Sequence, residues 1–320
     1  MTLFATIVLF VLGVILVVKG GDFFVDAASW IAEKSGIPKV IIGATIVSLA
    51  TTMPELLVSV MAALDGKVDM SIGNAVGSVT ANIGLIMAIG LICMPGVIKR
   101  SNYLVKSILM LAAAALITVC GITGSVSLPI SVLLMIVFAI FMYENLHEVR
   151  KNVSAMKYDS EKEEPASRKT VALTVAKFVV GALFIVIGSQ LLVDNGSTLA
   201  RLAGVPERVI GVTLIAVGTS LPELITTITA IAKKQSSLSI GNIFGANIID
   251  LTLIMPLSAL ISGKALPVSQ TLAMIDLPIC LVVGLIAVVP AMIRSKFSRS
   301  QGIALLAVYA VYVVITCTLV

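Results

Sequence analysis

Charge is scarce in this chain. Asp, Glu, Lys and Arg together make up 12% of its 320 residues, against about 25% in soluble domains, which excludes a water-soluble globule with a charged shell. Aromatic residues are few as well, at 5%, and they do not interleave with basic side chains. The stacking platforms that nucleic-acid binding needs are therefore missing, although the net charge is +5 and the pI about 9.0. The one histidine, His147, falls at an expected loop edge. The four cysteines, Cys93, Cys120, Cys280 and Cys317, lie apart in apolar segments without CxxC spacing. Neither a zinc centre nor a disulfide framework is indicated, and the cysteines read as core filler. No HExxH sequence and no catalytic Ser/Lys set occurs, so no enzyme activity, catalytic residue or cofactor is expected.

Apolar residues are what the chain has in excess, at 58% with a mean hydropathy of +1.11. This composition defines an all-α polytopic membrane protein. Apolar segments place ten spans near 2–19, 38–64, 70–97, 102–120, 126–146, 169–193, 206–232, 238–262, 267–293 and 301–319. The N-terminal segment has no basic leader and is expected to stay as the first helix. The only long polar stretch, 147–168, is too charged to cross a bilayer and reads as a solvated linker. Lys106 and Lys177 lie near span starts and are expected to snorkel to the interface. Trp30 reads as an interfacial anchor, and Met61, Met87 and Met274 as packing.

The chain is duplicated. GATIVSLATTMPELL at 43–57 returns as GVTLIAVGTSLPELI at 211–225, and SIGNAVG at 71–77 returns as SIGNIFG at 239–245. The offset is 168 residues without a gap from Gly43/Gly211 to Ile86/Ile254, and 14 of these 44 positions are identical. Weaker matches include Gly13/Gly181 and Gly20/Gly188. The halves are 1–146, with motifs at 43–59 and 71–86, and 169–320, with motifs at 211–227 and 239–254, each holding five spans. An odd span count with a linker between the copies implies that the second half enters the membrane inverted. Orientation follows from basic residues: with both termini outside, 15 Lys and Arg fall in cytoplasmic loops, including the 147–168 linker, and four fall outside. Inverted repeats are the architecture of secondary transporters, which bind substrate near the midplane.

Each copy carries one carboxylate in an apolar helix, Glu55 and Glu223. A carboxylate at the bilayer centre costs about 2.5 kcal/mol or more, and neither helix offers an intramembrane Lys or Arg. A bound cation is the natural partner. Hydroxyls of Thr51-Thr52 and Thr219-Ser220 lie within one turn, and Pro54 and Pro222 leave backbone carbonyls without their helical donor. The partner segments GNAVGSVTANIG (73–84) and GNIFGANIIDL (241–251) present Asn82 and Asp250 at equivalent positions. The donor set is all oxygen, and an irregular shell of six to eight oxygens suits calcium better than magnesium. With Glu55, Glu223 and Asp250 converging, several monovalent ions or protons could replace one divalent ion. Exclusive occupancy of this kind is the basis of exchange.

These paired motifs, ATTMPELLVS with GNAVGSVTANIG and GTSLPELITT with GNIFGANIID, resemble the alpha-1 and alpha-2 repeats of the sodium/calcium exchanger family in the cation/calcium exchanger superfamily. The resemblance covers essentially the whole chain. It implies ten helices in two inverted five-helix repeats and calcium extrusion driven by sodium entry across the plasma membrane. By motif position, Glu55 and Glu223, with Thr51 and Thr219, would bind calcium, within a central cluster that includes Asn82 and Asp250. The carbonyl of Ser48 with Thr51, Thr52 and Ser78, and the carbonyl of Ala216 with Thr219 and Ser220, would line the sodium sites. Membrane lipid is the only other expected partner, and no obligatory protein partner is evident.

Three positions depart from the family pattern. Ala246 stands where Ser78 stands in the first copy and removes a hydroxyl; Asn247 beside it could supply an oxygen if the backbone shifts. Ala50 replaces the usual glycine and is expected to stiffen the kink, and Ser48 matches alanine in the second copy. A calcium/proton or potassium-linked exchanger is the alternative within transporters, and a passive cation channel is the alternative outside that class. Asp276 has no acidic counterpart. It reads either as an ion or proton relay or as a carboxylate solvated beside a helix break at Pro278.

Overall fold

The structure is a computed structural model and describes residues 2–159, 167–205 and 218–319. Its elements are α1 (Leu3–Ser35), α2 (Lys39–Thr51), α3 (Met53–Leu64), α4 (Val68–Cys93), α5 (Arg100–Thr123), α6 (Leu128–Asp159), α7 (Arg168–Leu202), α8 (Leu221–Ala232), α9 (Ser236–Ser262), α10 (Leu272–Arg294) and α11 (Arg299–Leu319). Four two-residue strands, β1 (Gly96–Val97), β2 (Ser125–Val126), β3 (Leu266–Pro267) and β4 (Lys296–Phe297), lie between them. Among the described residues, eight helices are long and apolar enough to cross a membrane. The α2/α3 pair, bent by 47° at Thr52, makes a ninth span when counted as one. The protein is an all-helical polytopic membrane protein. The expected span 206–232 is described only from residue 218 onward, where α8 begins at Leu221.

Several helices outrun the spans read from hydropathy. α1 continues past residue 19 to Ser35 and carries Trp30 within it, because nothing interrupts it before Gly36 takes the left-handed cap (φ 67°) ahead of Pro38. α6 runs to Asp159, since no Gly or Pro occurs between Pro129 and Pro165. The first part of the 147–168 stretch is therefore helical. His147 lies inside a helix rather than at a loop edge, exposed and stacked on Tyr143 at 6.2 Å. Cys93 is exposed rather than core, whereas Cys120 and Cys280 are buried. Lys106 departs furthest from expectation. Instead of snorkelling, it is completely buried on α5, on the stripe with Tyr103 and Met110 that faces the protein. Lys177, by contrast, is exposed.

The chain divides into two compact units, Met1–Thr51 with Tyr143–Asn242, and Thr52–Met142 with Ile243–Val320. Each unit draws on both sequence copies. In the first unit, α1 and α7 pack antiparallel along glycines. A Cβ on Gly20 would lie 2.9 Å from the Gly181 carbonyl oxygen, and one on Gly181 the same distance from that of Gly20. Gly13 and Gly188 repeat the exchange at 3.0 Å. Backbones this close leave no room for side chains and gain contact by van der Waals packing, the main source of helix association in lipid. Around this crossing, Phe24, Val25, Ala28, Ile42, Val47 and Ile185 form an apolar core. At one end, Lys233 bridges to Asp26 at 2.8 Å and Asp22 at 3.2 Å. Partial burial works against its ammonium, but the two carboxylates outweigh this and hold its pKa above the ordinary lysine value.

In the second unit, α10 packs against α5, α4 and α11, and α11 also covers α4. Two clasps join the loops. β1 pairs antiparallel with β4, and β2 with β3. Each clasp therefore joins a loop of one copy to the non-equivalent loop of the other. Pro290 sits inside α10 and cannot donate to the Ile286 carbonyl. The Gln301 amide does so instead, at 2.9 Å, and also reaches the Ala287 carbonyl at 2.6 Å.

Candidate ion-binding site

The helix carrying Glu55 is broken one turn before it. α2 opens into a π-turn at Gly43–Val47, ends at Thr51, and α3 restarts with Pro54 in its first turn. The ladder resumes from the Leu56 N–H to the Thr52 carbonyl at 3.0 Å, and the equivalent bond joins Leu224 to Ser220 at the same distance. Pro54 and Pro222 thus occupy the first turn of α3 and α8, where a missing N–H is tolerated. The proline break occurs where the sequence places it, despite Ala50.

Asn82 and Asp250, equivalent under the 168-residue offset, each begin a π-turn, Asn82–Met87 in α4 and Asp250–Ile254 in α9. A π-turn inserts one residue into an α-helix, widens it locally and re-aims the side chains around it, and such turns concentrate at functional sites. Pro256 follows the second, and a further π-turn at Leu272–Asp276 precedes Pro278 in α10. The helix does not break at Pro278, because the widened turn takes up the proline.

In the second unit, α3, the first part of α4 and the Asp250–Ile254 turn pack against one another pairwise. They carry Glu55, Ser78 and Asp250, with Thr52 and Asn82 at the ends of α3 and of the first part of α4; all are buried, with both carboxylates and Asn82 at 0% exposure. The Asn82 amide has no hydrogen-bond partner among the described residues. Asn74 ties this group together: its amide donates to the Glu55 carbonyl at 3.2 Å and to Ser59 Oγ at 2.9 Å, and Ser59 in turn donates to the Ser71 carbonyl at 3.3 Å.

In the first unit, α8 packs against the end of α2. Ser48, Thr51, Ser220 and Glu223 are buried there, and Thr219 is half-buried. The Thr51 hydroxyl has the Ser48 carbonyl and Asn242 Oδ1 each at 3.3 Å and also reaches toward Glu223. One hydroxyl proton serves three acceptors, which leaves lone pairs of this group open to a cation. The Ser220 hydroxyl has no partner among the described residues. Ser239 donates to Thr227 at 3.2 Å, the counterpart of the Ser71–Ser59 contact. Ala216 lies outside the described residues.

Asn74 and Asn242 join the candidate site only in the structure. The signal was present, since GN recurs at the same register in both copies, but small neighbours made the segment read as packing. Among the described residues, no three His, Cys, Asp or Glu side chains gather to hold a metal by themselves. A cation in either unit would depend on the amides, hydroxyls and carbonyls beside the carboxylates.

Buried acidic and amide groups on interrupted helices of a polytopic membrane protein fit a membrane transporter of cations. Residues 5–146 and 173–318 match the family of the sodium/calcium exchanger protein, and the chain belongs to that family. It is 31% identical to the uncharacterized membrane protein MJ0091 of Methanocaldococcus jannaschii over 305 residues, covering 94% of this chain and 95% of that protein. It is 30% identical to the sodium/calcium exchanger MaX1 of Methanosarcina acetivorans, covering 95% and 96%. Its fold matches the sodium-calcium exchanger NCX_Mj, soaked with sodium and strontium, with a TM-score of 0.80 at 30% identity over 97% of this chain and 98% of that one.

Proposed function

We propose that this protein is a secondary active antiporter that exchanges calcium for sodium across the plasma membrane by alternating access. The observation that carries the reading is the pair of fully buried glutamates, Glu55 and Glu223, each directly after a proline in the first turn of its helix, in equivalent segments of a duplicated chain. An ionised carboxylate in such a place needs a counter-charge, and a transported cation supplies it. Glu55 and Glu223, with Thr51 and Thr219, are the calcium ligands of this reading. Asn82 and Asp250 complete its polar centre, with Asp250 a third acidic ligand. Sodium is held by Ser48, Thr51, Thr52 and Ser78 in one copy and by Ala216, Thr219 and Ser220 in the other.

The architecture of this reading is ten helices in two inverted repeats, 1–146 and 169–320, joined by a cytoplasmic segment at 147–168, with both termini outside. The reciprocal glycine contacts of α1 and α7 support it, because equivalent helices of the two copies run antiparallel there. The loop clasps support the orientation. Lys99, Arg100, Arg294, Lys296 and Arg299 flank the β1/β4 clasp, whereas Lys264 alone lies near β2/β3.

Calcium uptake into proteoliposomes loaded with sodium tests the reading against potassium-loaded vesicles and an imposed proton gradient. Uptake is expected to require internal sodium. Ala246, completely buried where Ser78 supplies a hydroxyl in the other copy, makes the proton arm informative: uptake driven only by protons would overturn sodium coupling. Uptake with no counter-ion requirement would make the protein a channel. A further expectation concerns the Asn74 clamp. Asn74→Ala removes two hydrogen bonds worth about 1 kcal/mol each, and the calcium concentration for half-maximal flux is expected to rise about tenfold or more. A wild-type calcium titration in that variant would show that the clamp does not shape the site.

A further inference from the structure

Asp276 takes no part in the exchange reading, yet it is held in a specific arrangement. It closes the π-turn Leu272–Asp276 in α10, and its Oδ1 accepts a hydrogen bond from the Tyr312 hydroxyl at 2.6 Å. Tyr312 is neighboured on α11 by Tyr309, with ring centroids 6.1 Å apart. Tyr309 in turn seals Gly84, where an added Cβ would lie 2.8 Å from Tyr309 Cβ. Gly84 lies within the Asn82–Met87 π-turn, two residues from Asn82. One face of α11 therefore bridges two π-turns, the one that ends at Asp276 and the one that begins at Asn82.

We propose that Asp276 is a positioning residue that acts through Tyr312 and Tyr309 to hold the Asn82 turn in its ion-binding form, and that protonation of Asp276 releases this hold. The inference rests on the proposed place of Asn82 in the ion site. A hydroxyl bound to a carboxylate makes a charge-assisted bond, roughly twice as strong as the bond it makes to a neutral acid. The ionised form therefore pins Tyr312, and with it the turn of α11 that carries Tyr309. The titratable groups around Asp276 are few: Tyr312 and Tyr309 on α11, and Cys280 one turn along α10. Cys280 is buried and lies near Thr80 and Asp250. On α4, Asp69 is exposed, one turn before Gly73, which meets Leu272. α5 reaches this turn through Gly121 and Thr118, which do not titrate.

The test is calcium-45 binding to purified protein as a function of pH, with sodium-driven flux measured in parallel. Asp276→Asn is expected to weaken calcium binding at neutral pH about tenfold, the difference between a hydrogen bond to a charged group and one to a neutral amide. It should also remove one proton from the order with which acid opposes calcium. Tyr312→Phe is expected to weaken calcium binding at least as much, and the double variant to be no worse than Tyr312→Phe alone, because both changes act through the same bond. A folded Asp276→Asn protein with the wild-type dependence on pH overturns the proposal, and so do additive losses in the double variant. Should Asp276→Asn not fold, Tyr312→Phe decides alone: unchanged calcium affinity at neutral pH rejects the proposal. Calcium binding that follows these expectations without sodium-driven flux would overturn sodium exchange while leaving the role of Asp276 standing.

Discussion

Replacing Glu223 by Gln is expected to abolish calcium transport while leaving the protein folded, and Glu55→Gln is expected to do the same. Each change swaps a buried carboxylate for an amide of nearly the same shape. The cost falls on the cation, which loses a charged ligand. Removing one partner of a buried charge pair costs about 2–5 kcal/mol, and 3 kcal/mol is already about a hundredfold in affinity. Stability should move the other way or not at all, because the ion-free protein no longer keeps an ionised group out of water. The pairing of lost flux with an undiminished melting temperature separates a ligand from a structural residue. The measurement is flux in proteoliposomes beside thermal unfolding of the same purified variant without calcium. Full transport by either variant would remove that glutamate from the site.

Alanine at Gly43 or Gly241 is expected to damage both stability and transport. In the first compact unit, a Cβ on Gly43 would collide with the Leu238 carbonyl oxygen, and one on Gly241 with the Val40 carbonyl. These atoms belong to helical backbones that cannot step aside as a side chain can. Overpacking of this kind costs about 1–3 kcal/mol, and separating α2 from α9 would also pull Asn242 away from Thr51. Gly77→Ala provides the control. Nothing lies within 4 Å of an added Cβ there, so that variant should be neutral or gain up to about 1 kcal/mol of helix propensity. Thermal unfolding of the three variants, with flux at a temperature where all are folded, checks the expectation. A Gly43→Ala protein as stable and active as Gly77→Ala would mean that α2 and α9 are not in close contact.

Much of the candidate site was legible along the chain because it is written twice. The 168-residue offset singles out Glu55 and Glu223, pairs Asn82 with Asp250, and exposes Ala246 as the odd position. The helix starts at Pro54 and Pro222 follow from local chemistry, since proline has no N–H wherever the rest of the fold lies. The asymmetric residues were harder to read. Asp276 and Lys106 have no like-charged counterparts, and the neighbours that explain Asp276, on α11, are 36 residues away along the chain.

By itself the sequence determined the solvent, the duplication, the acidic pair and the family, because composition, repetition and proline chemistry are local properties. Tertiary structure alone decided that Lys106 is buried, that Asn74 holds the Glu55 carbonyl, that π-turns begin at Asn82 and Asp250, and that α1 meets α7 glycine to glycine. The reason lies in the bilayer. In water, an apolar face marks the side of a helix that turns inward, but in lipid both faces meet apolar surroundings. Hydropathy then reports that a helix spans the membrane and is silent about which side faces protein. That choice is made by close packing and by polar groups finding partners on distant segments, and neither is written in the periodicity of any one helix.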